Sequence, residues 1–179
     1  MIELRLCKSR AELKRFSRFP LDLYRGNDCY VPPIVESEVD LFDPKKNPSL
    51  EFCEAICYLA YRDGEVVGRI AGILNPHVNE KTGEKRVRFG YCDFIDDREV
   101  SHALLNAVCK WGKERGMENV VGPLGFTDMD PEGMLIEGFD QLSTMATIYN
   151  YPYYPVHMEK LGFEKEVGWV ERKVTIPRE

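Results

Sequence analysis

A tight turn between two apolar runs is the feature that most constrains how this chain folds. Residues 56–61 and 66–74 are mainly apolar, and the tetrapeptide Arg62-Asp63-Gly64-Glu65 separates them. An Asp-Gly pair is typical of two-residue hairpin turns, because both central residues need positive φ. The pattern therefore predicts a β-hairpin near the middle of the chain.

The segments around the hairpin predict further strands and helices. Further strands are predicted over residues 2–7, 86–95, 119–122 and 163–176, the last as one strand or a pair. Helices are predicted from about 10 to 19 or a little beyond Pro20, from 96 to about 115, and over 153–161. Because of the prolines at 32, 33, 44 and 48, residues 26–50 are predicted to form an irregular segment that covers the sheet and contains a short helix. Residues 75–85 are predicted to form a loop. This order predicts an α/β fold with a mixed, mostly antiparallel central sheet flanked by helices.

The length of the chain predicts one domain. The chain has 179 residues, close to the ~150 residues of a typical domain, and no composition shift marks a boundary within 1–179. Residues 123–150 are much longer than a normal connection between elements, which indicates an insertion or a functional loop.

An excess of acidic residues bears on the partners of the chain. There are 24 Lys and Arg against 30 Asp and Glu residues, and the formal net charge is −6. Nucleic-acid binding depends on dense positive charge, so we expect no nucleic-acid partner. The same excess disfavours anionic cofactors. No apolar run approaches the ~20 residues of a membrane span, so we expect no membrane partner.

The N-terminal residues and the cysteines predict a cytoplasmic protein. Residues 1–6 lack the basic region and apolar core of a signal peptide. The 6 cysteines contain no Cys-x-x-Cys pair, and most lie within apolar stretches. This distribution favours reduced core thiols over a disulfide framework or a zinc site.

The order of elements and two local sequences resemble the GNAT superfamily of acyl-CoA-dependent N-acyltransferases. One is the strand–helix junction Phe89–Gly116, and the other is the run HMEKLGF at residues 157–163, which is similar to the terminal signature of that family. The resemblance implies transfer of an acetyl or other acyl group from acetyl-CoA or another acyl-CoA to an amine. It implies a small-molecule or peptide amine as acceptor, and it is compatible with a homodimer.

The resemblance also implies where the donor binds. The pantetheine arm of acyl-CoA would pair with the end of strand 86–95, at Phe94 and Ile95. The pyrophosphate would bind backbone N–H groups at the start of the following helix, around Arg98 and Ser101. A primary amine would then attack the thioester, while a base accepts its proton and an acid protonates the leaving thiolate. No metal is implied.

The expected pyrophosphate loop is degenerate in this sequence. The family pattern is Arg/Gln-x-x-Gly-x-Gly/Ala, placed just before a Leu-Leu pair. Alignment on residues 104–105 places Asp96 at the Arg/Gln position, Glu99 at the first glycine and Ser101 at the second. Only Ser101 is small enough to let the backbone approach a phosphate closely.

The acids at this point have two interpretations. Asp96 with Glu99 fits a capping box that satisfies the helix terminus itself. Alternatively, the carboxylates of Asp96, Asp97 and Glu99 would repel a pyrophosphate, with Arg98 compensating in part. The sequence thus leaves open a second hypothesis: a catalytically inactive GNAT-fold protein that binds a ligand or a partner.

The family's catalytic tyrosine falls at Met158, which has no proton to donate. Tyr154 lies one helical turn earlier on the same face, so we take Tyr154 as the candidate acid. The alternative is that the tyrosines at 149, 151, 153 and 154 form a wall that packs on the sheet.

Asp93 is the candidate base. It shares a strand face with Val87, Phe89 and Tyr91, where burial would raise the pKa of its carboxyl group. The alternative is a strand-end residue that faces solvent.

The sequence predicts no metal site. Residues 128–133, DMDPEG, partly match a calcium loop, but position twelve is Phe139 rather than Glu. We interpret this segment as an acidic rim suited to a cationic amine. His77, His102 and His157 are isolated in sequence and predict surface or satisfied core histidines.

Overall fold

A computed structural model describes residues 1–144, 147–172 and 174–176 of the chain. Its strands form one sheet whose spatial order follows the sequence. Neighbouring strands are antiparallel except for the last two, which are parallel. The strands are β1 Glu3–Leu6, β2 Glu54–Arg62, β3 Glu65–Leu74, β4 Arg86–Phe94 and β5 Asn119–Val121. The predicted α/β fold with a mixed, mostly antiparallel sheet is confirmed.

Helices cover both faces of this sheet. They are α1 Arg10–Leu23, α2 Val35–Leu41, α3 Pro76–Thr82, α4 Arg98–Lys113 and α5 Tyr153–Lys160, with a short 3₁₀ helix at Pro48–Glu51. Adjacent residues of β3 show the division, because Ala71 packs with Phe16 of α1 whereas Gly72 approaches Trp111 of α4. None of the helices within the described residues combines the length and the apolar composition that a membrane crossing requires.

The two long helices begin in different ways. Ser9 caps α1 in a full capping box with Glu12, as the sequence predicts. At α4 the predicted Asp96–Glu99 capping box is wrong. Asp97 is the N-cap residue there, and its Oδ1 accepts a hydrogen bond of 2.8 Å from the backbone N–H of Glu99. Asp97 takes this place because its backbone is extended and helical geometry starts at Arg98.

Two sequence predictions of local structure are corrected. The segment predicted as a loop contains α3, in which Asn75 caps the first turn, Pro76 opens the helix and Gly83 ends it at φ 72°. Residues that usually punctuate loops therefore serve here as helix start and stop signals. The predicted strand over 163–176 is also wrong, because residues 163–172 and 174–176 contain no strand.

A β-bulge interrupts the pairing of β4 with β3. Asp93 pairs with Arg69, but Gly90 pairs with Ala71, so β4 carries an extra residue between these two pairs. Tyr91 lies in the bulge with φ 48°, a left-handed conformation that is uncommon for a tyrosine.

The bulge changes which face of the sheet Asp93 occupies. Val87 packs against α4, whereas Tyr91 packs against Phe16 of α1 and Asp93 pairs with Arg69 on that same side. The prediction that Asp93 shares a face with Val87 and Phe89 is therefore wrong. The extra residue shifts the alternation by one position, and Asp93 moves to the side of the sheet that α1 covers.

Gly90 marks the point where the chain after β5 crosses β4. A Cβ on Gly90 would lie 2.3 Å from the carbonyl oxygen of Leu124, and this contact involves backbone that cannot easily move away. We expect Gly90→Ala to lower the free energy of unfolding by about 1–3 kcal/mol, measured by urea titration. Gly168→Ala is the control, because a Cβ there meets only the amine of Lys165 at 3.7 Å. Equal stability of the two variants would contradict this prediction.

Candidate active site

A network of buried polar side chains lies on the α1 side of the sheet. Arg69 donates from Nε to Asp93 Oδ2 over 2.8 Å, and it also pairs with Glu38 of α2. The hydroxyls of Tyr24 and Tyr154 lie 3.1 and 3.3 Å from Asp93 Oδ1. Asp93 is 6% exposed. The alternative in which Asp93 faces solvent is therefore wrong.

The two predicted catalytic residues, Asp93 and Tyr154, meet in this network. The hydroxyl of Tyr24 lies 2.8 Å from that of Tyr154, and the backbone N–H of Phe94 donates to the Tyr154 oxygen over 3.2 Å. Each of the two hydroxyls therefore lies within hydrogen-bond distance of the other hydroxyl and of Asp93 Oδ1. The two hydroxyls and the carboxylate form a hydrogen-bonded group, called the hydroxyl chain below, that ends on Asp93.

Burial keeps the phenols of this network protonated. Burial, followed by the charge of Asp93, raises the pKa of Tyr154 and of Tyr24 above the usual value, so both phenols keep their protons. Burial disfavours the charge of Arg69, but Glu38 and Asp93 outweigh that effect and raise its pKa. Counted as formal charges, two carboxylates and one guanidinium give this buried cluster a net charge of −1.

The predicted tyrosine wall is also present. Tyr154 stacks on Phe94 with ring centroids 4.3 Å apart, and Tyr151 lies 4.9 Å from Tyr24. Tyr149 and Tyr153 extend the same aromatic cluster. The ring of Tyr154 therefore packs in the wall while its hydroxyl contacts Asp93, and its role as the acid stays a prediction.

The backbone groups at the end of β4 are bonded within the chain. The N–H of Phe94 donates to Tyr154, and its carbonyl accepts a hydrogen bond of 2.5 Å from Tyr153. The N–H of Ile95 donates to the carbonyl of Val67 over 3.1 Å. The positions at which the resemblance places the pantetheine arm therefore have internal partners.

Side chains also occupy the start of α4. Arg62 donates to Asp97 over 2.7 Å and to Glu99 over 3.2 Å. The hydrogen bond from Arg62 is the main reason why the pKa of Asp97 is lowered. Ser101 is 1% exposed and its Oγ lies 2.8 Å from Nδ1 of His157. Arg98 is exposed and forms no ion pair with the described residues.

His157 connects this terminus to α5. Its Nε2 lies 2.9 Å from Oδ1 of Asp96, and its ring is buried against Phe94 and Tyr153. His157 is thus a satisfied core histidine, as predicted. The residues at the start of α4 do not fit a pyrophosphate bound to free backbone N–H groups, because the carboxylate of Asp97 already accepts from one of them.

One residue of the predicted acidic rim, Asp130, stabilises the local backbone. Oδ2 of Asp130 accepts hydrogen bonds from the backbone N–H groups of Phe126 and Thr127, over 2.7 and 3.0 Å. Within the described part of the chain, no group of three or more His, Cys, Asp or Glu side chains is arranged to hold a metal ion. All of the cysteines are free thiols.

Comparison with known proteins places these observations in context. No family model matches the chain. Protein YghO of Escherichia coli is 31% identical over 169 residues, which is 92% of this chain and 43% of that protein. A bacterial ceramide synthase of Caulobacter vibrioides is 30% identical over 159 residues, 88% of this chain and 41% of that protein. The chain therefore spans less than half the length of these curated relatives.

A solved structure decides the fold. The structure of a predicted acetyltransferase of Clostridium acetobutylicum, solved with acetyl-CoA, superposes on this chain with a TM-score of 0.55 at 14% sequence identity. The superposition covers 97% of this chain and 96% of the Clostridium chain. The chain has the GNAT fold. The resemblance seen in the element order and in residues 157–163 is therefore confirmed at the level of fold.

Sequence reasoning found two members of the buried network of this GNAT fold, Asp93 and Tyr154, and missed the others. Arg69 carries a signal, because it is the one charged residue in the apolar run 66–74. A charge inside a buried strand indicates a buried partner of opposite sign. Tyr24 and Glu38 have no comparable signal, since they lie in a helix terminus and in the proline-rich cover.

Proposed function

We propose that the chain catalyses N-acylation, in which an acyl group passes from a thioester to a primary amine. The contact between the Tyr154 hydroxyl and the Asp93 carboxylate carries this proposal, because it joins a proton donor to a proton acceptor. The GNAT fold supports the proposal, since the superposed Clostridium structure is described as an acetyltransferase and was solved with acetyl-CoA.

The proposed reaction needs one proton acceptor and one proton donor. The amine nitrogen attacks the thioester carbonyl and loses a proton, which Asp93 accepts through the hydroxyl chain. The C–S bond breaks, and the leaving thiolate takes a proton from Tyr154. Tyr154 recovers its proton from Asp93, so the residues return to their starting states without a covalent enzyme intermediate. Arg69 is the positioning residue that orients Asp93 through the hydrogen bond from its Nε.

The proposed acceptor is a long-chain amine. A relative that is 30% identical is named a bacterial ceramide synthase. A ceramide is the amide of a long-chain amino alcohol, so its synthesis is an N-acylation. The net negative charge of the Arg69, Glu38 and Asp93 cluster suits a cationic ammonium group as it approaches.

An amide-forming assay tests this proposal. The full chain is incubated with a thioester donor and either a long-chain amino alcohol or a short amine of equal basicity, and products are measured by mass spectrometry. We expect amide from both acceptors, with kcat/KM at least about tenfold higher for the long-chain acceptor. Equal rates would remove the long-chain assignment, and the absence of amide from every acceptor would remove the proposed activity.

One observation favours a second candidate, a GNAT-fold protein that binds a ligand or a partner without catalysis. The hydrogen-bonding groups at Phe94 and at the start of α4 already have partners within the chain. This candidate predicts that an amine or a thioester binds without turnover. Calorimetry run beside the amide assay separates the two functions.

A further inference from the structure

A carboxylate of the chain itself, that of Asp97, occupies the start of α4. A helix N-terminus attracts anions because its first backbone N–H groups lack partners within the helix. Here Oδ1 of Asp97 accepts from the N–H of Glu99 over 2.8 Å. The other oxygen of Asp97 accepts from Arg62 over 2.7 Å, so this carboxylate is held from two sides.

The neighbouring groups strengthen this arrangement. Arg62 lies within ion-pair distance of Asp97 and Glu99 together, so it is not free to meet a phosphate. Ser101 turns its Oγ inward to His157, and His157 meets Asp96 with its other ring nitrogen. An entering pyrophosphate would have to displace an ion pair and come close to several carboxylates.

The end of β4 presents a much smaller obstacle. At Phe94 the backbone N–H and carbonyl contact the hydroxyls of Tyr154 and Tyr153, which are neutral groups at the ends of side chains. An amide N–H of an incoming pantetheine arm can replace the half-buried Tyr153 hydroxyl at the carbonyl of Phe94, because one neutral hydrogen bond replaces another, while Tyr154 stays beside Asp93. A pyrophosphate at the start of α4 meets a larger obstacle, because the attached carboxylates of Asp97 and Glu99 stay close to the incoming anion and repel it.

We propose that this chain recognises its donor as an acyl-pantetheine thioester, with no contribution from the pyrophosphate or the nucleotide. The inference rests on the proposed N-acylation and names its donor class. Coenzyme A and a carrier protein both present this chemistry. The part of the donor that the chain contacts is the same in either source.

Binding measurements test the proposal without requiring turnover. Calorimetry on the full chain compares CoA, pantetheine and adenosine 3′,5′-bisphosphate at about 50 mM and about 500 mM salt. We expect the Kd values of CoA and pantetheine to agree within about threefold, with little salt dependence, and no binding of the bisphosphate. A Kd for CoA that is at least about tenfold lower than that for pantetheine would overturn the proposal. If neither CoA nor pantetheine binds, the proposal is also overturned. The amide assay tests the proposed N-acylation separately.

A charge-removal variant provides the complementary test. Asp97→Ser keeps an N-cap residue, and Glu99→Gly restores the glycine of the family pattern and releases Arg62. We expect this double variant to bind CoA at least about tenfold more tightly than pantetheine. Glu114→Gln with Glu118→Gln is the matched control, because it also removes two carboxylates but at and beyond the other end of α4. A folded Asp97→Ser/Glu99→Gly protein that shows no preference for CoA would contradict the inference.

The amide assay also separates the two sources of the donor. Acyl-CoA, acyl-pantetheine and an acylated carrier protein are compared at equal concentration. Similar rates with the first two support the inference, and a higher rate with the carrier protein identifies that source. An acyl-CoA rate at least about tenfold above the other two would count against it.

Discussion

Replacing Arg69 with methionine should lower the free energy of unfolding by about 3–5 kcal/mol. Arg69 is 4% exposed and is the cation that Asp93 and Glu38 share. Methionine preserves much of the side-chain volume but leaves two buried carboxylates without a counter-charge. A urea titration at neutral pH measures the loss.

Two further variants distinguish this effect from a general loss of packing. Lys85→Met removes an exposed pair with Glu118 and should leave the urea midpoint unchanged. Arg69→Met combined with Glu38→Gln should be more stable than Arg69→Met alone, because one uncompensated charge is gone. A double variant that is no more stable than the single one would show that charge is not the cause.

The pH dependence of the Arg69→Met variant has a defined sign. Burial without a cation raises the pKa of a carboxyl group in the folded state above its value in the unfolded state. The folded state then binds protons more readily, so the loss of stability should shrink as pH falls toward about 5. A loss that is constant between neutral pH and about 5 would contradict this explanation.

The central hairpin was predictable because its determinants are local. Asp63 and Gly64 take φ values of 51° and 88°, as an Asp-Gly turn requires, and the apolar runs beside them form β2 and β3. By contrast, α3 was missed because Pro76 and Gly83 begin and end a helix as readily as they interrupt one. Local patterns determine an element only where they exclude the alternative.

The geometry of the network was less predictable because its contacts join distant parts of the chain. Asp93 and Tyr154 were identified by residue type and by spacing from the terminal signature, but the face that Asp93 occupies depends on a bulge at Tyr91. No periodic pattern marks that bulge. Tyr24 reaches Asp93 from 69 residues away, so its role follows from tertiary packing alone.

Replacing Tyr154 with phenylalanine should lower kcat for amide formation by about 10²–10⁴-fold, with a smaller effect on KM. Phenylalanine keeps the ring that stacks on Phe94 but removes the hydroxyl that contacts Asp93. The N–H of Phe94 also loses its acceptor, which should cost about 1–3 kcal/mol of stability. Steady-state kinetics and a urea titration measure the two effects separately.

Tyr149→Phe is the matched control for Tyr154→Phe. Tyr149 is also buried in the tyrosine wall, and its hydroxyl bonds to Asn27 and to the carbonyl of Phe139 rather than to Asp93. It should lose stability to a similar extent while retaining its turnover. If both variants lose turnover equally, the wall serves packing alone and Tyr154 has no part in the chemistry.

The leaving group separates an acid role for Tyr154 from a structural one. An aryl thioester releases a thiolate that is more stable than an alkyl thiolate and needs less help from a proton donor. If Tyr154 supplies that proton, the kcat lost in Tyr154→Phe should be largely restored with the aryl donor. If Tyr154 only holds Phe94 and α5 in place, both donors should suffer the same loss, because the leaving group does not change the packing of the site. The ratio of the two losses therefore tests the proton transfer itself.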